Sequence, residues 1–363
     1  HKSRVWVHIR DKSTLKYKGI VDRTPEGVKK LQHIVKMYKV TVVIMESTNK
    51  YWEYVYNELV QIVKCNVVNS HQLTVVGLHK TDERNAKRLT DYYLNGSIVH
   101  SYVPSPVIHD LRQLVRKRIK PLEEQSGIVN QLKSRLEGCC PGITEAVKTL
   151  RSLYIQLFLT QWGTPDLTFE TFLQSIDDGR IKRALQRRYD LLVYWWNHPP
   201  RSSILFLIQL ELKSYLFFEA EIQNLTTKIF ELVQTPDIQR ALKLITSIPG
   251  IGKLTAITII AEYGTAERFT SGDAAAASCG LTPKLKGSAG KTRGGHITKH
   301  GPSSVRRMLY IAAKTVIRCS ERYKKFYQRI KKRRCGKIAM VALCRKLSKL
   351  CWHLWYHNTM YIE

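Results

Sequence analysis

The stretch that most constrains this chain runs from residue 244 to residue 311. It opens with an apolar helix pattern, the turn Pro249-Gly250-Ile251-Gly252, and a second apolar helix that begins near Lys253. Two glycines two residues apart between apolar helices are typical of a hairpin whose backbone N–H groups can approach a phosphate closely. An ordinary tight turn between two packed helices explains the same residues. The turn alone therefore leaves both interpretations open.

The segment that follows the turn is rich in cations and glycines, and Ser288 lies near its centre. We expect it to form a flexible loop, because ordering it without a partner would cost much conformational entropy. A polyanion is the expected partner, and a serine among cations is a candidate nucleophile toward phosphorus. The cations of this segment are Lys284, Lys286, Lys291, Arg293 and Lys299.

The positive charge of the chain is concentrated near its C-terminal end. The net charge is +30, and residues 284–349 contain 21 Lys or Arg against a single acid, Glu321. A charge run can be a solvated face, but this one lies on helical sequence beside the glycine-rich segment, which favours nucleic acid. Besides the five cations above, the candidate nucleic-acid contacts are Lys253, Arg306, Arg307, Arg333 and Arg334.

The cysteines and the hydropathy pattern bear on the compartment. None of the eight cysteines forms a CxxC pair, so we expect reduced thiols in a cytoplasmic protein. No run of 18 apolar residues is present, and we expect no membrane partner. The chain begins at His1, so we expect that its natural start lies upstream.

The N-terminal third has an α/β pattern. Strands are predicted at residues 4–9, 41–45 and 65–69, and the second of these is a β-branched run expected to be buried on both faces. Helices are predicted after Thr24, with an apolar stripe at residues 28, 31, 34 and 35, and around residues 52–59.

Two acids of this third could meet at the rim of the predicted sheet. Glu46 ends the second strand, while Thr81 is the predicted N-cap of a helix whose first turn contains Asp82. Carboxylates placed there are what a divalent metal needs for phosphodiester chemistry. Alternatively, Asp82 complements the helix dipole and Glu46 forms a surface pair.

The middle of the chain is predicted to be helical. Residues 107–138 suit a long exposed helix or a coiled coil that dimerises the chain, with a kink or break at Pro121. Further helices are predicted at residues 153–158 and 176–196. A long amphipathic helix over residues 203–233 leads into the hairpin.

The order of motifs resembles that of the DEDD transposases of insertion elements. MES at residues 45–47 and KTD at residues 80–82 are followed by the helical middle, SIPGIG, and LTPKLKGSAGKTRGGHITKHG. These transposases are the bridge-RNA-guided recombinases related to the pilin-gene invertase Piv. The resemblance implies an α/β plus all-α protein, with a ribonuclease H-like domain of the Holliday-junction-resolvase type at 1–105. It implies a coiled-coil or helical dimerisation region at 106–240 and a helical transposase domain with a helix-hairpin-helix at 241–363.

The same resemblance implies roles for particular residues. Glu46 and Asp82 match family acids that hold Mg²⁺, and Ser288 best matches the family's nucleophilic serine, with Ser271 as the second choice. The implied reaction is attack by Ser288 on DNA, with the phosphate held by basic residues of the same segment. The implied partners are a guide RNA, donor and target DNA, and further copies of the chain, as a dimer or a dimer of dimers. Such a protein is prokaryotic and associates with the nucleoid when it acts.

Two departures from the family pattern leave other functions open. Asn85 stands where the family has its fourth acid, and the family's first acid would lie just before His1. An asparagine can offer a carbonyl oxygen to a metal, but it lowers the negative charge of the site and its Mg²⁺ affinity. A transposase-derived protein that binds RNA and DNA without cutting is therefore an alternative. A hydrolytic junction nuclease that uses only the N-terminal acids is a third possibility, in which Ser288 has no role.

Overall fold

The computed structural model describes most of the chain as two compact units, His1–Pro104 and Ser105–Glu363. The described residues are 2–12, 14–47, 49–69, 81–98, 100–146, 151–288 and 291–362, and their side chains are described except at 145–146, 285–288 and 291–295. Lys80 of the KTD motif lies outside the described residues.

The first unit alternates strands and helices, as the sequence predicts. Its elements are β1 (Arg4–Asp11), β2 (Thr14–Asp22), α1 (Pro25–Met37), β3 (Val42–Glu46), α2 (Tyr51–Leu59), β4 (Lys64–Val68), α3 (Asp82–Leu94) and β5 (His100–Ser101). The three predicted strands correspond to β1, β3 and β4. The short β5 and the mostly exposed β2 have no matching prediction.

The strands of this unit form two small sheets. β1 and β2 make an antiparallel hairpin, while β3 pairs in parallel with β4, and β4 pairs antiparallel with β5. The parallel pair needs a crossover connection, which α2 supplies. The expectation that β3 is buried on both faces is wrong, because each of its residues is only half-buried. Within the described residues β3 pairs with a strand on one edge alone.

The core of the first unit lies between its strands and two of its helices. All four predicted apolar positions of α1 are buried, and Val55 and Leu59 of α2 join them. Thr24 begins α1, since its Oγ1 accepts the Gly27 N–H at 3.1 Å. The helix pattern read from the sequence is confirmed here.

The second unit is largely helical. Its first helices are α4 (Pro106–Lys117), α5 (Ile119–Cys139), α6 (Ile143–Ala146), α7 (Leu153–Gln161), α8 (Phe169–Gln174), α9 (Gly179–Gln186), α10 (Tyr189–Asn197) and α11 (Ser202–Leu232). They are followed by α12 (Pro236–Thr246), α13 (Lys253–Tyr263), α14 (Gly272–Ser278), β6 (Pro283–Ser288), β7 (Lys291–Ile297), α15 (Ser303–Cys319), α16 (Glu321–Arg333) and α17 (Gly336–Tyr356). None of the helices in the described ranges combines the length and apolarity of a membrane-spanning segment.

Pro121 interrupts the helical stretch over residues 107–138. α4 ends at Lys117 and α5 begins at Ile119, because proline has no N–H to bond the carbonyl of Lys117 and its ring crowds that carbonyl. The predicted break is therefore present, and it lies about one turn before the proline. α5 packs along α11 of the same chain, and Arg135 pairs there with Glu211 at 2.7 Å.

The second unit has two hydrophobic cores. One is built on aromatic residues of α7, α8 and α10, where Phe172 stacks on Trp196 with ring centroids 4.8 Å apart. The other combines α4 and the end of α11 with α12, α13, α15 and α17. Helices on both sides of residue 240 share this second core. The division into three regions stays a prediction.

The segment after the helical turn contains two strands where the sequence predicts a loop. Residues 283–288 and 291–297 form β6 and β7, an antiparallel hairpin in which Gly287 lies opposite Thr292. Glycine lowers strand propensity but keeps both backbone hydrogen-bonding groups, so main-chain pairing can order the segment despite its composition.

Candidate active site and nucleic-acid interface

Three predicted site residues line one cavity of the first unit. The cavity has a volume of about 1080 Å³, and Glu46, Asp82 and Asn85 are among its lining residues. Glu46 is the last residue of β3, and the other two lie in the first turn of α3. Because residues three apart lie on one helix face, Asp82 and Asn85 belong to the same side of α3. The three residues therefore border the same cavity, and their meeting at one metal ion stays a prediction.

The local structure fixes where α3 begins. Thr81 is its N-cap, and Thr81 Oγ1 accepts the Arg84 N–H at 3.3 Å. This confirms the predicted cap and the place of Asp82 in the first turn. Glu46 and Asn85 are half-buried and Asp82 is exposed, so the three side chains can be reached from solvent.

The oxygen atoms of Glu46, Asp82 and Asn85 are of the kind that bind a hard divalent cation. Two carboxylates and an amide carbonyl are oxygen ligands of the kind that Mg²⁺ accepts together with water. Among the described residues, however, no group of three or more His, Cys, Asp or Glu is arranged to hold a metal. Asn85 contributes a neutral amide oxygen, so the negative charge of this donor set comes from Glu46 and Asp82 alone.

A polar contact between β1 and α3 was not foreseen from the sequence. Thr90 Oγ1 lies 3.1 Å from His8 Nδ1, within hydrogen-bonding distance, and 2.7 Å from the Lys87 carbonyl oxygen. Arg10 pairs with Asp91 beside it. Burial and, next, the Arg10 charge lower the pKa of His8. These contacts hold α3 against β1 and so help to position Asp82 and Asn85.

The helical hairpin predicted from the Pro-Gly-Ile-Gly turn is present. α12 and α13 flank the turn, in which Gly250 has φ +86°, a conformation that favours glycine. A Cβ at Gly250 would lie 2.9 Å from the Val316 backbone nitrogen, so the turn packs closely against α15. Lys253 is the exposed first residue of α13. It is placed where a phosphate could meet the helix N-terminus.

Ser288 is the last residue of β6. The register pairs Ser288 with Lys291 and Lys286 with Arg293. Directly opposed residues of an antiparallel pair lie on one face, as do residues two apart along a strand. The four positions therefore belong to the same face of the hairpin. The side chains of these residues lie outside the described part of the structure.

The second-choice serine has a structural role. Ser271 is the N-cap of α14, and its Oγ accepts the Ala274 N–H at 3.2 Å. Asp273 in the first turn of α14 bonds Lys349 and Arg345, and these contacts lower the pKa of its carboxyl. The N-cap role accounts for a serine at position 271 without a catalytic function.

The predicted basic contacts fall into different environments. Arg306 donates to the carbonyls of Cys279 and Gly301 at 3.0 and 2.9 Å, and Arg307 pairs with Glu123 at 2.7 Å. Lys284 on β6, Lys299 after β7, and Arg333 and Arg334 at the end of α16 are exposed. The exposed cations are better placed for phosphate, because Arg306 and Arg307 are already engaged by the protein.

The sequence analysis also did not identify a buried carboxylate that pairs with basic residues. Glu262 of α13 is 7 % exposed and accepts hydrogen bonds from Arg116 at 2.8 and 2.7 Å and from Ser304 Oγ at 2.6 Å. The signal was an acid within the apolar run AITIIAEYG, which cannot be buried without partners. Arg112 and Arg268 donate to backbone carbonyls of the same helix end. This cluster binds α4 to α13 and α15.

Two family models match separate parts of the chain. A model described as a transposase, the DEDD type of IS110 elements, matches residues 1–141. A second, described as the transposase IS116/IS110/IS902 family, matches residues 242–328. The first range contains Glu46 and Asp82, and the second contains the turn of the helical hairpin, α13 and Ser288.

Curated relatives give the same result. A probable family 20 transposase of Pseudomonas aeruginosa is 30% identical over 167 residues, which is 45% of this chain and 47% of the relative. A putative transposase of Sinorhizobium fredii is 29% identical over 41% of this chain and 39% of its own length. The chain thus spans about half the length of these relatives or less. An uncharacterized 44.8 kDa protein of insertion element IS116 from Streptomyces clavuligerus is 22% identical over 76% of this chain and 71% of its own length. Together, the two models and these relatives support the assignment of the chain to the IS110/IS116 family of DEDD transposases.

Proposed function

We propose that this chain is the recombinase of an insertion element, which cuts and rejoins DNA at sites chosen by base pairing with a guide RNA. The observation that supports this most is that Glu46 of β3 lines one cavity together with Asp82 and Asn85 of α3. The cationic hairpin that contains Ser288 gives the second support.

The cavity acids are the proposed metal ligands. DEDD transposases typically use a divalent metal, and the oxygen donors of Glu46, Asp82 and Asn85 match that chemistry. Mg²⁺ bound there would neutralise charge on the reacting phosphate. Glu46 and Asp82 supply the negative charge of the site, and Asn85 supplies a neutral oxygen.

Ser288 is the proposed nucleophile. Its Oγ forms a bond to a DNA phosphorus, the bond between that phosphorus and the 3′-oxygen breaks, and the proton lost by the serine ends on the 3′-oxygen. The products are a phosphoserine and a free 3′-hydroxyl. In the rejoining step, the 3′-hydroxyl of a new strand attacks the phosphoserine phosphorus and releases the serine. A serine hydroxyl needs activation. We propose that the carboxylate site of another copy of the chain supplies it, which makes a dimer, or a dimer of dimers, the active form.

The basic residues are the proposed binding surface. Lys284, Lys291 and Arg293 would contact the reacting phosphate, and α16 would follow the backbones of DNA and guide RNA. Contacts of this kind position the duplex and carry no sequence information. Sequence choice is therefore left to base pairing with RNA, as in other RNA-guided systems.

The alternative of a binding protein without cutting activity is favoured by one observation. The proposed metal ligands include two carboxylates, those of Glu46 and Asp82, and Asn85 stands in place of a further acid. A weakly bound metal would leave nucleic-acid binding intact while cleavage is lost. Both functions predict binding, and strand joining separates them.

The experiment uses a plasmid that carries the coding sequence with its own flanking DNA on both sides, so that the natural ends and any encoded guide are included. Recombined junctions are counted by sequencing. We expect junctions with the unchanged chain and a loss of about 100-fold or more in Glu46→Gln and in Asp82→Asn, since charge stabilisation at the reacting phosphate is removed. Glu58→Gln, on α2 and outside the cavity lining, is the charge-matched control. Absence of junctions in every strain supports the binding protein instead.

A further inference from the structure

Two histidines lie four residues apart at the end of α17. His353 is in the last turn of the helix, and His357 is its C-cap, whose N–H donates to the His353 carbonyl at 3.0 Å. Both side chains are exposed, and their ring centroids are 4.4 Å apart with an angle of 52° between the ring planes. Residues four apart on a helix are neighbours on one face. The two imidazoles therefore lie side by side where solvent reaches them.

Aromatic side chains restrict the position of this histidine pair. Trp352 is anchored because its Nε1 donates to the Ala266 carbonyl at 3.0 Å, and Tyr356 stacks on Trp352 with ring centroids 4.9 Å apart. His357 meets both rings edge-on, at 6.3 Å from Trp352 and 5.1 Å from Tyr356. A side chain that packing already restricts loses less rotamer freedom when it binds a ligand.

We propose that His353 and His357 together bind one divalent transition-metal ion of the class of Zn²⁺, Ni²⁺ and Cu²⁺. Imidazole nitrogens suit these ions, and two histidines at i and i+4 of a helix can hold one from a single face. Bonds of about 2.1 Å to a shared ion place the two nitrogens roughly 3.0–3.4 Å apart, which is compatible with the neighbouring rings. Water would fill the remaining coordination positions. The inference does not depend on the proposed function, whose Mg²⁺ ligands are oxygen atoms of the first unit.

The helix end also favours a cation electrostatically. The last carbonyls of a helix have no intrahelical donors and carry partial negative charge, so positive charge is stabilised beside them. Of the helices in the described residues, only α17 ends with two histidines four apart. His296 and His300 have the same separation in sequence, but His296 is on β7 and His300 follows that strand. No helical turn brings those two rings together.

A bound metal would hold the end of α17 and the segment that follows it. Beyond His357 the chain returns to the helical hairpin, where the Tyr361 N–H donates to Ser247 Oγ at 2.9 Å. Ser247 is the C-cap of α12. An ion that joins two positions of the last turn opposes its fraying, and a ligand of the folded state alone raises stability by mass action. The metal should therefore raise the unfolding temperature of the full chain.

The test is titration of the full chain with Ni²⁺, followed by calorimetry and thermal unfolding. We expect His353→Ala and His357→Ala each to weaken the binding of one ion about tenfold or more and to lose the rise in unfolding temperature. The double variant should bind little more weakly than either single variant, because loss of one ligand already removes the chelate. Electron paramagnetic resonance of bound Cu²⁺ should show two imidazole nitrogens in the unchanged chain and one in each single variant.

The double variant His296→Ala, His300→Ala is the control with the same spacing, and it should keep the ion. Without metal, every variant should unfold within about 2 °C of the unchanged chain, since the substituted side chains are exposed. The proposal is overturned if His353→Ala and His357→Ala bind Ni²⁺ as the unchanged chain does, or if the control loses the same ion. Loss of the ion in only one of the two single variants also overturns it, because that result indicates a site with one of these ligands.

Discussion

The carboxylate of Glu262 and the guanidinium of Arg116 form a two-point ion pair, with Nε–Oε1 and Nη2–Oε2 distances of 2.8 and 2.7 Å. The Glu262 side chain is 3 % exposed, whereas that of Arg116 is 49 % exposed. Arg112 Nε lies 3.7 Å from the same carboxylate. The pair therefore joins α4 to the helical hairpin at the edge of the larger core.

Removing the charge of Glu262 should destabilise the second unit. In Glu262→Gln, Arg116 and Arg112 lose their anionic partner beside the core. Breaking a buried pair costs about 3–5 kcal/mol, and the exposure of Arg116 places the expected loss at the lower end of this range. The measurement is urea unfolding followed by tryptophan fluorescence.

Glu123→Gln is the matched control for this prediction. It breaks the 2.7 Å pair with Arg307, but the Glu123 side chain is 63 % exposed. The free energy of unfolding should therefore fall by less than about 1 kcal/mol. Equal losses in the two variants would show that the Glu262 cluster does not bind α4 to α13.

The turn of the helical hairpin should tolerate a methyl group at one glycine only. Gly250→Ala forces a non-glycine residue to φ +86° and brings its Cβ to 2.9 Å from the Val316 nitrogen. We expect a loss of roughly 2 kcal/mol or more in the free energy of unfolding.

Gly252→Ala is the matched control in the same turn. Gly252 has no atom within 4 Å of an added Cβ, and its φ is −81°. The expected loss is about 1 kcal/mol or less, since alanine is only a poorer N-cap. A larger loss in Gly252→Ala than in Gly250→Ala would contradict the close packing of this turn on α15.

Exposed arginines and arginines that bond to the protein itself should affect DNA binding differently. The double variant Arg333→Ala, Arg334→Ala should make the negative slope of log K against log salt less steep for duplex DNA of mixed sequence. The change should be roughly 0.9 for each phosphate contact that is lost. Arg306→Ala should leave this slope unchanged and reduce stability, because Arg306 bonds two backbone carbonyls. The measurement is fluorescence anisotropy at several salt concentrations. A less steep slope in Arg306→Ala alone would indicate that DNA contacts α15 and not α16.

Local signals in the sequence identified several features of this fold. Thr24 and Thr81 are N-caps because each is a hydroxyl residue at the start of a periodic helix pattern, and the stripe on α1 has helical spacing. These features depend on neighbours within one or two turns. They can be read from a short window of residues.

The missed features depend on residues far apart in the chain. The cluster at Glu262 joins residues 146 positions apart, and no local pattern specifies Arg116 as its partner. β2 is mostly exposed, so it lacks the apolar alternation that indicates a strand. The hairpin of β6 and β7 depends on main-chain pairing, to which the composition of the segment gave no signal. That Glu46 and Asp82 share a cavity was predicted only through the sheet rim and the family resemblance.

Metal affinity should depend on the charge at residue 85. Asn85→Asp adds a carboxylate to the proposed ligands Glu46 and Asp82, so Mn²⁺ and Mg²⁺ should bind about tenfold tighter, a difference of roughly 1.4 kcal/mol. The measurement is titration calorimetry of the full chain. Asn57→Asp on α2 is the charge-matched control, because Asn57 is exposed and does not line the cavity. The same gain in both variants would mean that net charge, and not the cavity site, controls metal binding.

The most direct test of the proposed function is capture of a covalent protein–DNA adduct. Cells that carry the coding sequence with its flanking DNA are lysed in detergent, and the DNA attached to the denatured protein is sequenced. The unchanged chain and Ser271→Asn, which keeps a capping side chain on α14, should both give adducts at the element ends. Ser288→Ala should give none. Adducts that persist in Ser288→Ala and disappear in Ser271→Asn would contradict the account and assign the nucleophile to Ser271.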